Sequence, residues 1–247
     1  MEISVLIPTY NCARFIGAAI ESALRQTYPA KEIVVVNNGS TDDTDAVMQP
    51  FLEQHKHIRY IKKIHEGIPE ARNRLVEEAA CGVVSFLDAD DLWEADKLRL
   101  QVELMESQGC DMVLCALQNF YDDSVTDPTA AQRLLFENPM KEPLNGALIK
   151  KAVFQVVGLF DPKHNTCTED VDWLIRSKAA GIHTGMVDTV CYLRRVHSDN
   201  SSILLNYDSA HAMHMIAASL RRSRKRGECR HGQDFCNHSR LQRGEVY

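Results

Sequence analysis

The sequence has no long apolar run. No stretch of the 247-residue chain approaches the roughly 18 consecutive apolar residues that a membrane-spanning helix needs. An apolar strand begins as early as Ile3, without the charged and apolar leader of a secreted protein. The eight cysteines include no C-x-x-C pair, and scattered cysteines are typical of reduced thiols. The sequence therefore predicts a cytoplasmic protein.

A glycine-rich, basic phosphate loop is also missing near the N-terminus. Residues 9 to 14 contain neither glycine nor lysine, which argues against a nucleotidyltransferase, because such enzymes normally hold phosphates with that loop. Aromatic residues make up only 7% of the chain, but apolar residues make up 45%. That is enough to build a large core in one domain or in two closely fused lobes.

Charge is distributed unevenly along the chain. The formal net charge is -6, yet residues 221 to 247 contain eight Lys and Arg against three Asp and Glu. An acidic body argues against a nucleic-acid partner. The basic tail can make peripheral contact with the inner face of an anionic membrane or remain solvated, and solvation is the simpler expectation. Cys229, His231, Cys236 and His238 in this tail match no standard zinc spacing.

Apolar runs alternate with helical patterns through the first hundred residues. The runs predict strands over 3–7, 33–36, 58–61 and 83–87, and the helical patterns cover 15–24, 44–55 and 69–80. The predicted fold class is therefore α/β, with a mostly parallel central sheet flanked by helices. In such sheets, ligands bind beyond the carboxyl ends of the strands.

The second half of the chain is less regular. Helices are predicted over 97–107 and 148–157, and a third begins after Thr168 as N-cap and closes at Gly181. Strands are predicted over 112–117 and from Val190 onward, and residues 121–142 read as an insertion or loop. Residues 205–226 predict a further helix with a basic end.

Polar residues follow three of the predicted strands. They are Thr9-Tyr10-Asn11, Asn37 to Ser40, and Asp88 to Asp91. Three carboxylates in four residues repel one another, and a divalent cation bridging to phosphates would make the cluster favourable. The alternative is that Asp88 to Asp91 cap a helix that starts near residues 94–97. Convergence of the three segments at one sheet edge favours a nucleotide site.

These segments, in order, resemble glycosyltransferase family 2, a group of inverting enzymes with the GT-A fold. The resemblance covers about residues 3–200 and depends on order and spacing rather than on a single motif. Its pieces are Val5 to Asn11, Gln26 to Pro29, Ile33 to Asp42, Ala71-Arg72-Asn73, Phe86 to Trp93 and Glu169-Asp170.

The resemblance implies where the donor nucleotide binds. It assigns Pro8, Thr9 and Tyr10 to the base, although Tyr10 can also be read as a core aromatic. The family usually has two aspartates where this chain has Asn37 and Asn38. The amide oxygen of Asn38 can still accept the N–H of uracil, without the charge, so UDP is the expected nucleotide and other bases stay open.

The resemblance also implies the phosphate and metal ligands. It assigns Arg72 to the nucleotide or diphosphate, Asp88 and Ala89 to the nucleotide sugar, and Asp90 to direct coordination of Mn²⁺ or Mg²⁺. His197 is carried over as a further metal or diphosphate residue. The plainer readings are a surface arginine for Arg72 and an ordinary loop histidine for His197.

An inverting transfer needs a base that takes the proton of the acceptor hydroxyl. The resemblance implies Asp170, with Glu169 as the competing candidate, whereas Asp172 is displaced around the helix. Carboxylates in a first turn also stabilise a helix, and this alone can explain them.

The sequence thus predicts three segments and one activity. Residues 1–100 form a nucleotide-sugar-binding lobe, 101–205 the acceptor-binding and catalytic-base lobe of the same domain, and 206–247 a C-terminal helix and a partly disordered basic tail. The expected activity is metal-dependent transfer from a nucleotide-sugar donor to a glycan, a lipid-linked sugar or a small-molecule acceptor. The alternatives are a catalytically silent nucleotide-sugar-binding module and, less favoured, a nucleotidyltransferase.

Overall fold

A computed structural model describes residues 1–125, 144–164, 168–197 and 200. These residues form an eight-stranded sheet with helices on both faces. The strands are β1 (Ile3–Thr9), β2 (Glu32–Asn37), β3 (Ile58–Lys62), β4 (Val83–Phe86), β5 (Leu92–Trp93), β6 (Met112–Tyr121), β7 (Leu148–Lys150) and β8 (Thr184–Val196). The helices are α1 (Ile16–Leu24), α2 (Thr44–Gln54), α3 (Ile68–Glu78), α4 (Lys97–Gln108), α5 (Val153–Val157) and α6 (Glu169–Ala179).

The first half of the sheet is parallel, as predicted. Strands β3, β2, β1 and β4 lie side by side in that order, and the helices α1, α2 and α3 connect them. Alternate residues of β1 enter different cores: Val5 and Ile7 pack into one, and Leu6 into the other. Burial on both faces explains why these strands are continuously apolar.

The second half is mixed, and the predicted helix over 148–157 is wrong. Leu148 to Lys150 form β7, which pairs antiparallel with both β4 and β6, and only Val153–Val157 is helical. A short apolar run does not by itself distinguish a buried strand from a buried helix. Residues 148–150 form a strand because they pair with β4 on one side and with β6 on the other.

Two strands are longer than their sequence patterns indicated. Strand β6 continues to Tyr121 and β8 begins at Thr184 rather than at Val190, and the two pair in parallel over most of their length, with register shifts near Cys115 and Ala116. Strand β8 also pairs antiparallel with the short β5. The sheet therefore brings the segment after β8 next to the aspartates that follow β4.

The aspartates after β4 do not cap a helix. Strand β5 intervenes, and α4 begins at Lys97 with Asp96 at its N-cap position. Thr168 does occupy the N-cap position of α6, as predicted, but its hydroxyl is buried and has no hydrogen-bond partner among the described residues. The capping interpretation of Asp88 to Asp91 is therefore wrong.

Several predictions concern residues outside this description. Most of the predicted insertion, the helix over 205–226 and the cysteines and histidines of the tail lie outside the described residues. The division into lobes at residues 100 and 205 stays a prediction. Within the described ranges, no helix has the length and apolarity that crossing a bilayer requires.

Lys97, the first residue of α4, is fully buried. Its ammonium group donates to Ser85 Oγ at 2.9 Å and to Gln101 Oε1 at 2.8 Å, and it lies 3.8 Å from the centre of the Trp93 ring. Burial lowers the pKa of Lys97 from its ordinary value of 10.5 to about 8. The charged form therefore reduces the stability of the folded state.

We expect this lysine to give the protein a pH-dependent stability. The folded pKa is depressed, so the cost of burying the charge is fully present below pH 8 and disappears as the pH rises to 10.5, a difference of about 3 kcal/mol. Denaturant unfolding between pH 7 and 10 checks this. The free energy of unfolding should rise with pH more in the native chain than in Lys97→Met, whereas the exposed control Lys56→Met should follow the native chain. Parallel curves for native and Lys97→Met would contradict the assignment.

Candidate active site

The polar segments after β1 and β2 meet at one edge of the sheet. The backbone N–H of Asn38 donates to Thr9 O at 2.8 Å, and that of Asn11 donates to Ser40 Oγ at 2.9 Å. Asn11 adopts a left-handed backbone (φ 48°), and its side-chain oxygen accepts from Thr41 N at 2.8 Å. The carboxyl ends of the adjacent parallel strands β1 and β2 thus form one polar surface, residues 8–11 and 37–41, which we call the ledge. The order of the strands in the sheet requires this arrangement.

The Asn38 side chain is bound on both sides. Its Nδ2 donates to Gly67 O at 3.0 Å, and its Oδ1 accepts from Glu66 N at 3.1 Å. Asn38 is only 4% exposed. Its amide thus holds the loop that leads into α3, and only the second lone pair of Oδ1 remains for another donor.

Tyr10 is not a core residue, because 47% of it is exposed. Its ring lies 4.3 Å from the ring of His65, measured between centroids, at an interplanar angle of 35°. His65 Nδ1 lies 3.1 Å from Asn38 O. Beside Tyr10, Thr9 is buried, and its hydroxyl has no partner in the described part of the chain.

Asp91 attaches the aspartate loop, residues 88–91, to β8. One carboxylate oxygen accepts from Tyr192 OH at 2.8 Å and the other from Arg195 N at 2.7 Å. Burial raises the pKa of Asp91 well above its usual range, and the charges of Asp90 and Asp88 add to this. Asp91 therefore fixes the loop against β8.

Asp90 and His197 meet although they are 107 positions apart. Asp90 Oδ2 lies 3.1 Å from His197 Nε2 and 3.3 Å from Asn200 Nδ2. The Asp90 side chain is 27% exposed, and His197 packs its ring at 4.6 Å from Phe15. Ala89, between Asp88 and Asp90, is buried. No cluster of three or more His, Cys, Asp or Glu suited to a metal ion occurs within the described ranges.

Arg72 is buried, which excludes the surface reading. Its guanidinium donates to Glu169 Oε1 at 2.8 Å and to Asp88 Oδ1 at 3.1 Å. The other oxygen of Asp88 accepts from Asn145 Nδ2 at 2.6 Å. Burial raises the pKa of Glu169 to about 7, with Arg72 opposing and Asp170 reinforcing the effect.

Asp170 is the more exposed carboxylate of the Glu169-Asp170 pair. It is half-buried in the first turn of α6, and its Oδ1 accepts from Val171 N at 2.7 Å. Its charge acts on both Arg72 and Asp88, and its neighbour Glu169 pairs with Arg72. Asp172, by contrast, is buried against Arg176, whose Nε donates to it at 2.8 Å.

Four residues of this region escaped the sequence interpretation: His65, Asn145, Tyr192 and Asn200. Asn145 precedes a glycine and Asn200 lies in a polar segment three residues after His197, signals too common to single them out. Tyr192 lies in an apolar strand, where a core role is the default expectation. Asn145, Tyr192 and Asn200 matter through contacts with residues 57 to 110 positions away, and His65 through its contacts with Tyr10 and Asn38.

A sequence model of the family described as "Glycosyl transferase family 2" matches residues 4–160 of this chain. The matched segment contains the ledge, the aspartate loop and Arg72. The chain belongs to glycosyl transferase family 2. Its α/β sheet with flanking helices confirms the fold class that the sequence predicted.

Relatives and solved structures agree with this placement. TuaG of Bacillus subtilis, a glycosyltransferase assigned provisionally to teichuronic acid biosynthesis, is 28% identical over 206 residues, covering 81% of each chain. The chondroitin synthase of Pasteurella multocida is 27% identical over 91% of this chain but only 23% of its own length. The crystal structure of S. aureus TarS 1-349 with UDP-GlcNAc superposes with a TM-score of 0.66 at 18% identity, over 89% of this chain and 66% of that one. At that identity, the superposition establishes the fold alone.

Proposed function

We propose that the protein is an inverting glycosyltransferase that moves a sugar from a nucleotide-diphosphate donor, with UDP as the expected nucleotide, to a hydroxyl acceptor in polysaccharide synthesis. The observation that carries the proposal is that Arg72 pairs with both Asp88 and Glu169, which brings the Glu169-Asp170 pair of α6 to the segment that follows β4. TuaG and the chondroitin synthase support a polysaccharide product, and the TarS structures with UDP and UDP-GlcNAc support the donor.

The nucleotide would lie on the ledge, with its base against Pro8, Thr9 and Tyr10. The exposed ring of Tyr10 offers a face for base stacking. The free lone pair of Asn38 Oδ1 can accept one N–H from the edge of the base. Because this acceptor is neutral, recognition of uracil would be weaker than with a carboxylate at the same place.

Asp90 and His197 fit a Mn²⁺ or Mg²⁺ ion that also binds substrate. Their Oδ2 and Nε2 atoms lie 3.1 Å apart. One carboxylate and one imidazole are too few for an all-protein metal site, but they match a cation held jointly with phosphate oxygens. When bound, such an ion neutralises the charge of the departing diphosphate.

Asp170 would act as the base. Its carboxylate would take the proton of the acceptor hydroxyl while the hydroxyl oxygen bonds to the anomeric carbon and the bond to the diphosphate breaks. This single displacement inverts the anomeric centre. Glu169 is less suited, because one oxygen pairs with Arg72 at 2.8 Å and only 3% of the residue is exposed.

A panel of nucleoside diphosphates tests the donor assignment. We expect UDP with Mn²⁺ to raise the unfolding temperature more than CDP, GDP or ADP at the same concentration, because the nucleotide with the lowest Kd stabilises the fold most. A ligand at 100 times its Kd contributes about 2.7 kcal/mol. Incubation with UDP-sugars and candidate acceptors should then release UDP. A larger shift with another nucleotide would overturn the UDP assignment. Binding without transfer to any acceptor would favour the silent nucleotide-sugar-binding module.

A further inference from the structure

One guanidinium joins two parts of the site that are far apart in the chain. Arg72 Nη2 donates to Asp88, which follows β4, and Arg72 Nη1 donates to Glu169 in the first turn of α6. These partners lie 16 and 97 positions away. The planar guanidinium presents its N–H groups in a fixed fork that can hold two carboxylates in a set geometry, whereas a lysine ammonium is a compact point charge on a flexible stem.

The contact is built into the protein interior. The Arg72 side chain is 8% exposed and that of Glu169 is 4% exposed. The guanidinium carbon lies 5.9 Å from the centre of the Phe86 ring and 5.8 Å from that of Phe160. Pairs of this kind are weakly screened by solvent and costly to break.

The neighbouring residue makes a second attachment to the same region. Asn73 Nδ2 donates to Phe160 O at 2.9 Å, and its Oδ1 accepts from Phe160 N at 2.8 Å. Helix α3 therefore anchors both the loop before α6 and the first turn of α6 itself.

Neighbouring carboxylates keep the Arg72 guanidinium charged in spite of its burial. Burial lowers the pKa of Arg72, but the charges of Asp88, Glu169 and Asp170 outweigh burial and raise it above its ordinary value. Arg72 is thus the cation that allows the first turn of α6 to lie against the donor-side aspartate.

We propose that Arg72 is a positioning residue, which holds Asp88 and Glu169 in one rigid unit and thereby fixes Asp170 relative to the donor. The inference rests on the proposed function and departs from the expected role of Arg72 as a phosphate ligand. Both terminal nitrogens of Arg72 are engaged, and its Nε is buried without a partner in the described residues. Only 8% of the side chain is exposed, so little of the guanidinium is open to a phosphate.

Arg72→Lys and Glu169→Gln test the inference, with Arg74→Lys as the matched control. Arg74 lies on the same helix, but its side chain is 40% exposed and pairs only with Glu77 and Glu78 among the described residues. Hydrogen exchange of the α6 amides is the first measurement. We expect exchange to be about 10-fold faster in Arg72→Lys and in Glu169→Gln, and unchanged in Arg74→Lys.

Kinetics supply a readout that a purely structural role would not produce. We expect Arg72→Lys to lower kcat by about 10- to 100-fold, because small misplacements of a reacting group have effects of that size. Its UDP affinity by calorimetry should stay within about threefold of native. In an Asp170→Asn background, Arg72→Lys should cause little further loss, since residues that act through one another are not additive.

The outcomes separate this inference from the proposed function. Unchanged α6 exchange in Arg72→Lys overturns the positioning role whether or not the protein transfers sugar. A large loss of UDP affinity with a native kcat would make Arg72 a donor ligand instead, and full additivity with Asp170→Asn would also overturn the inference. If the native chain transfers nothing while the exchange result holds, the proposed function fails and Arg72 still holds α6.

Discussion

Asp170→Asn should lower the rate of sugar transfer by roughly 10²-fold or more, in line with the loss of a general base. The amide has the shape of the carboxylate but cannot take a proton from the acceptor hydroxyl. UDP affinity should stay near native, because Asp170 is assigned to the acceptor side of the site. Single-turnover rates with a saturating donor, together with calorimetry of UDP, check both parts of this expectation.

Two neighbouring carboxylates serve as controls for Asp170. Asp172→Asn should cost far less transfer activity, because Asp172 is buried and pairs with Arg176. Its buried ion pair makes this variant less stable, so rates are compared well below its unfolding temperature. Near-native transfer by Asp170→Asn would refute the assignment. A larger loss in Glu169→Gln than in Asp170→Asn would move the base one residue earlier.

Asp90→Ala should abolish metal-dependent binding of UDP while leaving the fold intact. Asp90 supplies the carboxylate of the proposed cation site, and with its side chain 27% exposed it contributes little to the core. Calorimetry of UDP with Mn²⁺ and with a chelator measures the effect. The native chain should lose most of its affinity in chelator, and Asp90→Ala should bind equally weakly in both conditions.

A matched control for Asp90 is Asp43→Ala. Asp43 is an exposed aspartate at the N-cap position of α2, and its side chain makes no capping bond. This variant should keep native, chelator-sensitive affinity. Native affinity of Asp90→Ala, or equal binding of the native chain with and without chelator, would refute the metal assignment.

Much of the first half of the fold could be predicted from the sequence. The apolar runs at Ile3, Ile33 and Val83 are long enough to indicate strands buried on both faces, and the intervening helical patterns require parallel connections. Parallel order then brings the polar residues at the ends of these strands to one edge. The family follows from the same segments.

The tertiary structure decided which of those residues act together. Leu148 and Ile149 are a strand because a place in the sheet was open to them, and no local pattern contains that information. The resemblance assigned Arg72 to the nucleotide or diphosphate, and only the fold shows its contact with Glu169, 97 positions away.

The division has a physical reason. Hydrophobic periodicity and turn chemistry act over a few residues, so a sequence by itself determines strands, turns and the edge at which the polar segments meet. The partners of buried charges and the bonds of amides such as Asn38 depend on contacts across the sheet, because a buried polar group takes whichever partner packing brings within reach. Burial also sets the pKa of Glu169 and Lys97, and burial exists only once the chain has folded.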